Sequence, residues 1–155
     1  MQESWATSER TRKSMRSNRS RDTGPEMALR HELFRRGLRY RVSFAPLTGV
    51  RRTVDIAFPR IKVAVMVDGC FWHGCPQHHK LPKSHVEYWE AKVRHNKERD
   101  ASTTSLLEAA GWRVIRLWAH TPVADMVSVV EAALERPTAE VPRRGPRDAR
   151  RPGTA

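Results

Sequence analysis

The chain alternates between stretches of helical and of strand-like apolar spacing. Residues 23–37 (TGPEMALRHELFRRG) place Met27, Leu29, Leu33 and Phe34 at loosely helical intervals. Thr23 or Asp22 can cap this helix, Pro25 suits its first turn and Gly37 its stop. Two strand-like runs follow, 53–58 (TVDIAF) and 62–67 (KVAVMV), joined by a short turn at Pro59 and Arg60. The second is nearly continuous in apolar and β-branched residues, the pattern of a strand buried on both faces. A long helical pattern fills 86–110 and closes at Gly111. WRVIRLW (112–118) reads as a further strand and 122–135 as a last helix. Strand, strand, helix, strand, helix predicts an α/β fold with a mixed central sheet flanked by helices.

Charge changes the picture at both ends. The 155 residues hold 29 Lys and Arg against 17 Asp and Glu, a formal net charge of +12. Such an excess suits a polyanionic partner, nucleic acid first, ahead of acidic lipid or a merely solvated surface. Residues 1–22 carry Arg10, Arg12, Lys13, Arg16, Arg19 and Arg21 and are expected to be a basic arm that orders on DNA. Residues 23–135 are the expected folded domain, and 136–155, rich in Pro and Arg, a disordered basic tail. No apolar run approaches the ~20 residues that span a bilayer, and MQESWATSER lacks a signal-peptide core. A cytoplasmic protein with no membrane partner is expected.

The chemistry is concentrated in residues 68–80, DGCFWHGCPQHHK, which hold both cysteines. In a reducing compartment Cys70-x4-Cys75-x2-His78 reads as three ligands of a tetrahedral zinc before it reads as a disulfide. His120, just past a strand end, is the favoured fourth ligand, with His79 the local alternative. A closed four-ligand site is structural and would staple the loop to the sheet edge. The contrary reading is two free buried cysteines among surface histidines.

A second group reads as catalytic. Asp55 sits mid-strand between Val54 and Ile56, where a carboxylate is costly unless paired or on a metal. Asp68 ends the next strand, and the two could hold a hard cation such as Mg²⁺. Glu26, in the first helical turn, could join through water, and His73 could take a proton from an attacking water. Strand-end acids are equally common as solvated turns, and Glu26 could simply favour the helix dipole.

Five segments in order, TRKSMRSNRSRDTGPE, VDIAF, VDGCFWHGCP, YWEAKVRHNKERD and GWRVIRLW, resemble the very-short-patch mismatch repair (Vsr) endonuclease family. The resemblance runs from about Thr11 to about His120. It implies a restriction-endonuclease-like PD-(D/E)xK core and nicking of one strand of duplex DNA beside a T·G mismatch left by 5-methylcytosine deamination. It further implies Asp55 and the Val67 backbone carbonyl at a Mg²⁺ site, His73 as general base, Glu26 as a metal-water contact, and structural zinc on Cys70, Cys75, His78 and His120. Phe71 and Trp72 would intercalate beside the mismatch and Met15 from the opposite groove, since wedges unstack poorly paired steps most cheaply. Trp89, Lys92, Asn96 and Arg99 share a helix face suited to phosphates, a merely solvated face being the plain reading.

The chain departs from the pattern in places. Val54 stands where restriction-type cores place Pro, and Cys70 where they place a lysine, which leaves His73 to serve in the lysine's stead. Family members can carry Thr-His before GCFWH; here Val67-Asp68 occupies that pair, and Asp68 is expected to strengthen metal binding. The expectation is a monomer that uses Mg²⁺ for chemistry and zinc for structure and leaves a 5′-phosphate. Its rivals are a restriction-type endonuclease on paired DNA and a non-catalytic zinc module for distorted DNA.

Overall fold

The computed structural model describes residues 21–135. The arm before it, Met15 included, and the tail from Arg136 onward lie outside the described residues. The elements are α1 (Gly24–Arg35), β1 (Arg41–Phe44), β2 (Val54–Phe58), β3 (Val63–Asp68), α2 (Val86–Ala109), β4 (Arg113–Trp118) and α3 (Val123–Glu135). One sheet runs in the order β1-β2-β3-β4. The first two pairings are antiparallel and β3–β4 is parallel, with α2 as the crossover that parallel strands require. The expected mixed sheet is present, with one strand more than the pattern predicted.

Period-two alternation sorts the strands into two layers. Ile56, Phe58, Val63, Val65, Ile115 and Leu117 face α1 and α3, meeting Leu29, Leu33, Met126, Val127 and Val130. Ala57, Ala64 and Met66 face the other way and join Leu107 of α2 and Trp112. Burial on both faces explains why β3 is apolar from Val63 to Val67, ahead of Asp68 at its end. Leu29 and Leu33 are completely buried, each contributing about 1.5–3 kcal/mol relative to exposure.

The weak amphipathicity of α1 has a local cause. Its buried stripe is Glu26, Leu29, Arg30 and Leu33, so two of four inward positions are charged and pair with each other. Phe34, expected among the apolar positions, is 57% exposed and lies under the Arg39 guanidinium. Thr23 occupies the cap position without a side-chain cap bond, and Asp22 instead accepts from Arg30 at 2.6 Å. Both predicted stops hold. Gly37 and Leu38 donate back to Phe34 and Leu33, and Gly111 and Trp112 to Glu108 and Leu107, which closes α1 and α2 with paired return bonds.

Polar residues gather at one end of the α2-facing layer. The N-terminal end of β2 and the C-terminal ends of β3 and β4 coincide there, and the middle of α2, from Lys92 to Thr103, lies over them.

Candidate active site and metal centre

The polar end of the sheet opens into a cleft of about 700 Å³, lined by Asp55, Asp68, His73, Lys92, Asn96, Arg99 and neighbouring residues. The β2–β3 ladder stops at Ile56 and Val65. Beyond it the Val67 N–H, left without a strand partner on that side, donates to Asp55 Oδ2 at 2.8 Å. Strand geometry turns the Val67 carbonyl to the same flank. Burial raises the Asp55 carboxyl to about 6; the Val67 N–H pulls it back, while Glu26 and Asp68 add negative charge nearby. Glu26 itself is buried against Arg30, which also holds Asp22.

Asp68 and His73 belong to a five-residue network with Asp100, Thr104 and Arg116. Arg116 Nη1 donates to both Asp68 oxygens at 3.0 Å. Its Nη2 reaches the Asp100 carbonyl at 3.2 Å and its Nε the Thr104 hydroxyl at 3.1 Å. Asp100 Oδ2 lies 2.5 Å from His73 Nδ1, and Asp68 Oδ1 3.8 Å from the same nitrogen. Both oxygens of Asp68 accept from an arginine, and Asp68, His73 and Asp100 also bring one donor atom each within 4.8 Å of the others, a group that could hold a metal ion. Asp100 and Arg116 are not singled out by the sequence. A signal existed for each: Asp100 lies four residues after Asn96 on one helix face, and Arg116 interrupts an apolar strand just as Asp55 does.

The zinc candidates converge. Cys70, Cys75, His78 and His120 bring one donor atom each within 4.8 Å of all the others. Cys70 Sγ is 3.1 Å and Cys75 Sγ 3.7 Å from His120 Nδ1, and Cys75 Sγ is 3.8 Å from His78 Nδ1. A tetrahedron with zinc–ligand bonds of about 2.1–2.3 Å has edges of about 3.6 Å, so two thiols and two imidazoles at these separations fit that ion. Burial opposes ionisation of Cys75, but the backbone N–H groups of Gln77 and His78 outweigh it and lower the thiol, favouring the thiolate that binds metal. His79 is elsewhere: its Nδ1 meets the Phe71 carbonyl at 3.1 Å. Of the two candidates, only His120 joins the group.

Between the two centres the loop 69–80 is pressed onto α2. Gly74 adopts φ +64°, and a Cβ there would come within 2.5 Å of Lys97 Cε and 2.9 Å of Val93 Cγ1. Asn96 Nδ2 donates to the Trp72 carbonyl at 2.8 Å. Phe71 and Trp72 are half-buried and meet edge to face at 5.1 Å, each packed against Trp89 at 5.3 and 5.8 Å. Trp89 thus belongs with the loop aromatics, while Lys92, Asn96 and Arg99 line the cleft. Met15 lies outside the described residues.

Strand-borne carboxylates, a His–Asp pair and a basic cleft on an α/β sheet fit an enzyme that cuts nucleic acid, and relatedness makes this definite. Residues 4–79 match the family profile described as DNA mismatch endonuclease Vsr. The chain is 46% identical over 120 residues to the type II nicking enzyme V.NaeI of Lentzea aerocolonigenes, covering 76% of this chain and 72% of the relative. It is 39% identical over 127 residues to the type II nicking enzyme V.NmeDIP of Neisseria meningitidis serogroup C, covering 81% and 84%. To the DNA mismatch endonuclease Vsr of Escherichia coli strain K12 it is 36% identical over 110 residues, covering 68% and 67%. The protein is a DNA endonuclease. It belongs to the Vsr family.

Proposed function

We propose that the chain nicks one strand of duplex DNA beside a T·G mismatch of the kind left by 5-methylcytosine deamination, by Mg²⁺-dependent hydrolysis that leaves a 5′-phosphate. The observation that carries this reading is the placement of Asp55 and the His73–Asp100 pair in one cleft. Relatives named as nicking enzymes and as a mismatch endonuclease support single-strand cutting and the mismatch target.

Asp55 has a single hydrogen bond among the described residues, and beside it the Val67 carbonyl offers a second hard oxygen, a donor set that fits Mg²⁺. When bound, Mg²⁺ would polarise a phosphoryl oxygen and stabilise the charge that develops on it. A carboxylate only accepts hydrogen bonds, so Asp100 fixes the proton of neutral His73 on Nδ1. The Nε2 lone pair is then free to take a proton from the attacking water. Attack at phosphorus expels the 3′ oxygen, hence the 5′-phosphate. Glu26, sealed against Arg30, acts through water at most. Asp68, held by Arg116, stands beside His73 and Asp100, where it positions the histidine and would add a carboxylate to a bound cation. Zinc on Cys70, Cys75, His78 and His120 holds the loop that presents His73, Phe71 and Trp72. The two aromatics, with Met15 from the arm, serve as wedges that favour easily unstacked steps. The protein acts as a monomer.

The test is cleavage of end-labelled duplexes, one with a single T·G mismatch and one fully paired, with Mg²⁺ or EDTA. A Mg²⁺-dependent nick confined to the mismatched duplex is expected. Cutting of both duplexes would replace this reading with a restriction-type enzyme, and tight binding without cutting across varied flanks with a binding module.

A further inference from the structure

We propose that Arg51 and Arg52, on the loop between β1 and β2, form a binding site for the DNA backbone, gripping phosphates in the cleft that holds Asp55. The inference rests on the DNA endonuclease activity of the family and is independent of the mismatch reading. Both arginines immediately precede β2 and line the cleft that Lys92 and Arg99 line from α2. Among the described residues none of these four cations has an ion-pair partner. Arg116, in the same cleft, is by contrast saturated by Asp68 and Asp100. Uncompensated like charges around one concavity do nothing for folding, whereas they focus a field that draws in a polyanion.

Arg52 adds a second observation. It is half-buried, and its Nε is sealed from solvent with no acceptor among the described residues. An unsatisfied buried donor disfavours the free state. Turning the guanidinium onto a phosphate breaks no side-chain hydrogen bond among the described residues and supplies the missing acceptor through a planar fork suited to phosphate oxygens. The two arginines, Lys92, Arg99 and Asp55 line one cleft, so the phosphates these cations meet are neighbours of whichever phosphate lies over Asp55.

The test is equilibrium binding of the full chain to duplex DNA by fluorescence anisotropy in magnesium-free buffer without chelator, across a salt series. Each phosphate contact contributes ~0.9 to the slope of log K against log salt. Arg51→Ala with Arg52→Ala is expected to reduce the slope by about 2, equally on paired and T·G duplexes. Arg51→Ala alone, at an exposed position that packing does not depend on, should reduce it by about 1. Arg60→Ala, on the exposed turn at the other end of the sheet, should leave it unchanged. An unaltered slope in Arg51→Ala overturns the proposal whether or not the double variant folds. An equal reduction in Arg60→Ala overturns it too, because bulk charge would then account for the effect. A reduced slope in an enzyme without mismatch preference would uphold this site while removing the mismatch reading.

Discussion

Asp55 carries a negative charge where burial disfavours one, and this has a signed consequence. Its carboxyl is raised from 3.8 to about 6 in the metal-free fold. Protonation therefore favours the folded state: the stabilising contribution is complete below about pH 4 and is lost as pH rises through 6. Asp55→Asn should raise the melting temperature in EDTA at pH 8, by about 1–2 kcal/mol of stability after allowing for partial exposure, and change it little at pH 4. Calorimetry at the two pH values checks this. The same variant should abolish cleavage while keeping duplex affinity. Asp100→Asn probes the His73 side: an amide can donate to Nδ1 and so leave the ring proton on Nε2, where the base is needed. Turnover should fall on the order of 10²–10³-fold with unchanged binding, as measured by single-turnover cleavage beside anisotropy. Of these residues the sequence disclosed Asp55, because a carboxylate within an apolar strand is conspicuous. It hid Asp100, whose helix carries so many charges that one more reads as solvated surface.

At the scale of elements, the loop 69–80 is positioned by two independent fasteners, the Cys–His group at the end of β4 and the Asn96 contact on α2. Stripping zinc with a strong chelator, or changing Cys75→Ala, should lower the melting temperature and accelerate amide exchange in 69–80 more than in β2 or β3; equal protection with and without chelator would contradict a structural metal there. Phe71→Ala with Trp72→Ala should reduce the preference for T·G over paired duplex more than it reduces paired-duplex affinity. Equal losses on the two duplexes would remove the wedge. Three strands and all three helices were legible because period and stop signals agreed. β1 was not: it is four residues long at the sheet edge, half of it exposed, and the Val42–Phe44 alternation that forms its apolar face is too short to stand out. The Arg116–Asp68 link was illegible for another reason. It depends on a parallel register that pairs Met66 with Arg116, and no local pattern encodes that register.

Across the whole molecule, a net charge of +12 sets the background on which specific contacts act. Truncation after Arg136 removes five of the tail's six arginines, and should weaken DNA binding at low salt, with the difference vanishing as salt rises and melting unchanged. A titration of the shortened chain at two ionic strengths decides it, and a lowered melting temperature would mean the tail packs. The crossover from β3 through α2 to β4 also has a consequence in time. The contacts of the site join residues ever further apart in the chain: 12 for Asp55 with Val67, 27 for His73 with Asp100, 48 for Asp68 with Arg116 and 50 for Cys70 with His120. Distant pairings form late, and β4 leaves the ribosome after β3 and α2, the elements it meets at the site. A half-synthesised chain can hold the carboxylate of β2 but cannot yet brace Asp100 or clamp its loop. An enzyme that severs DNA thus remains inert until its last strand is seated.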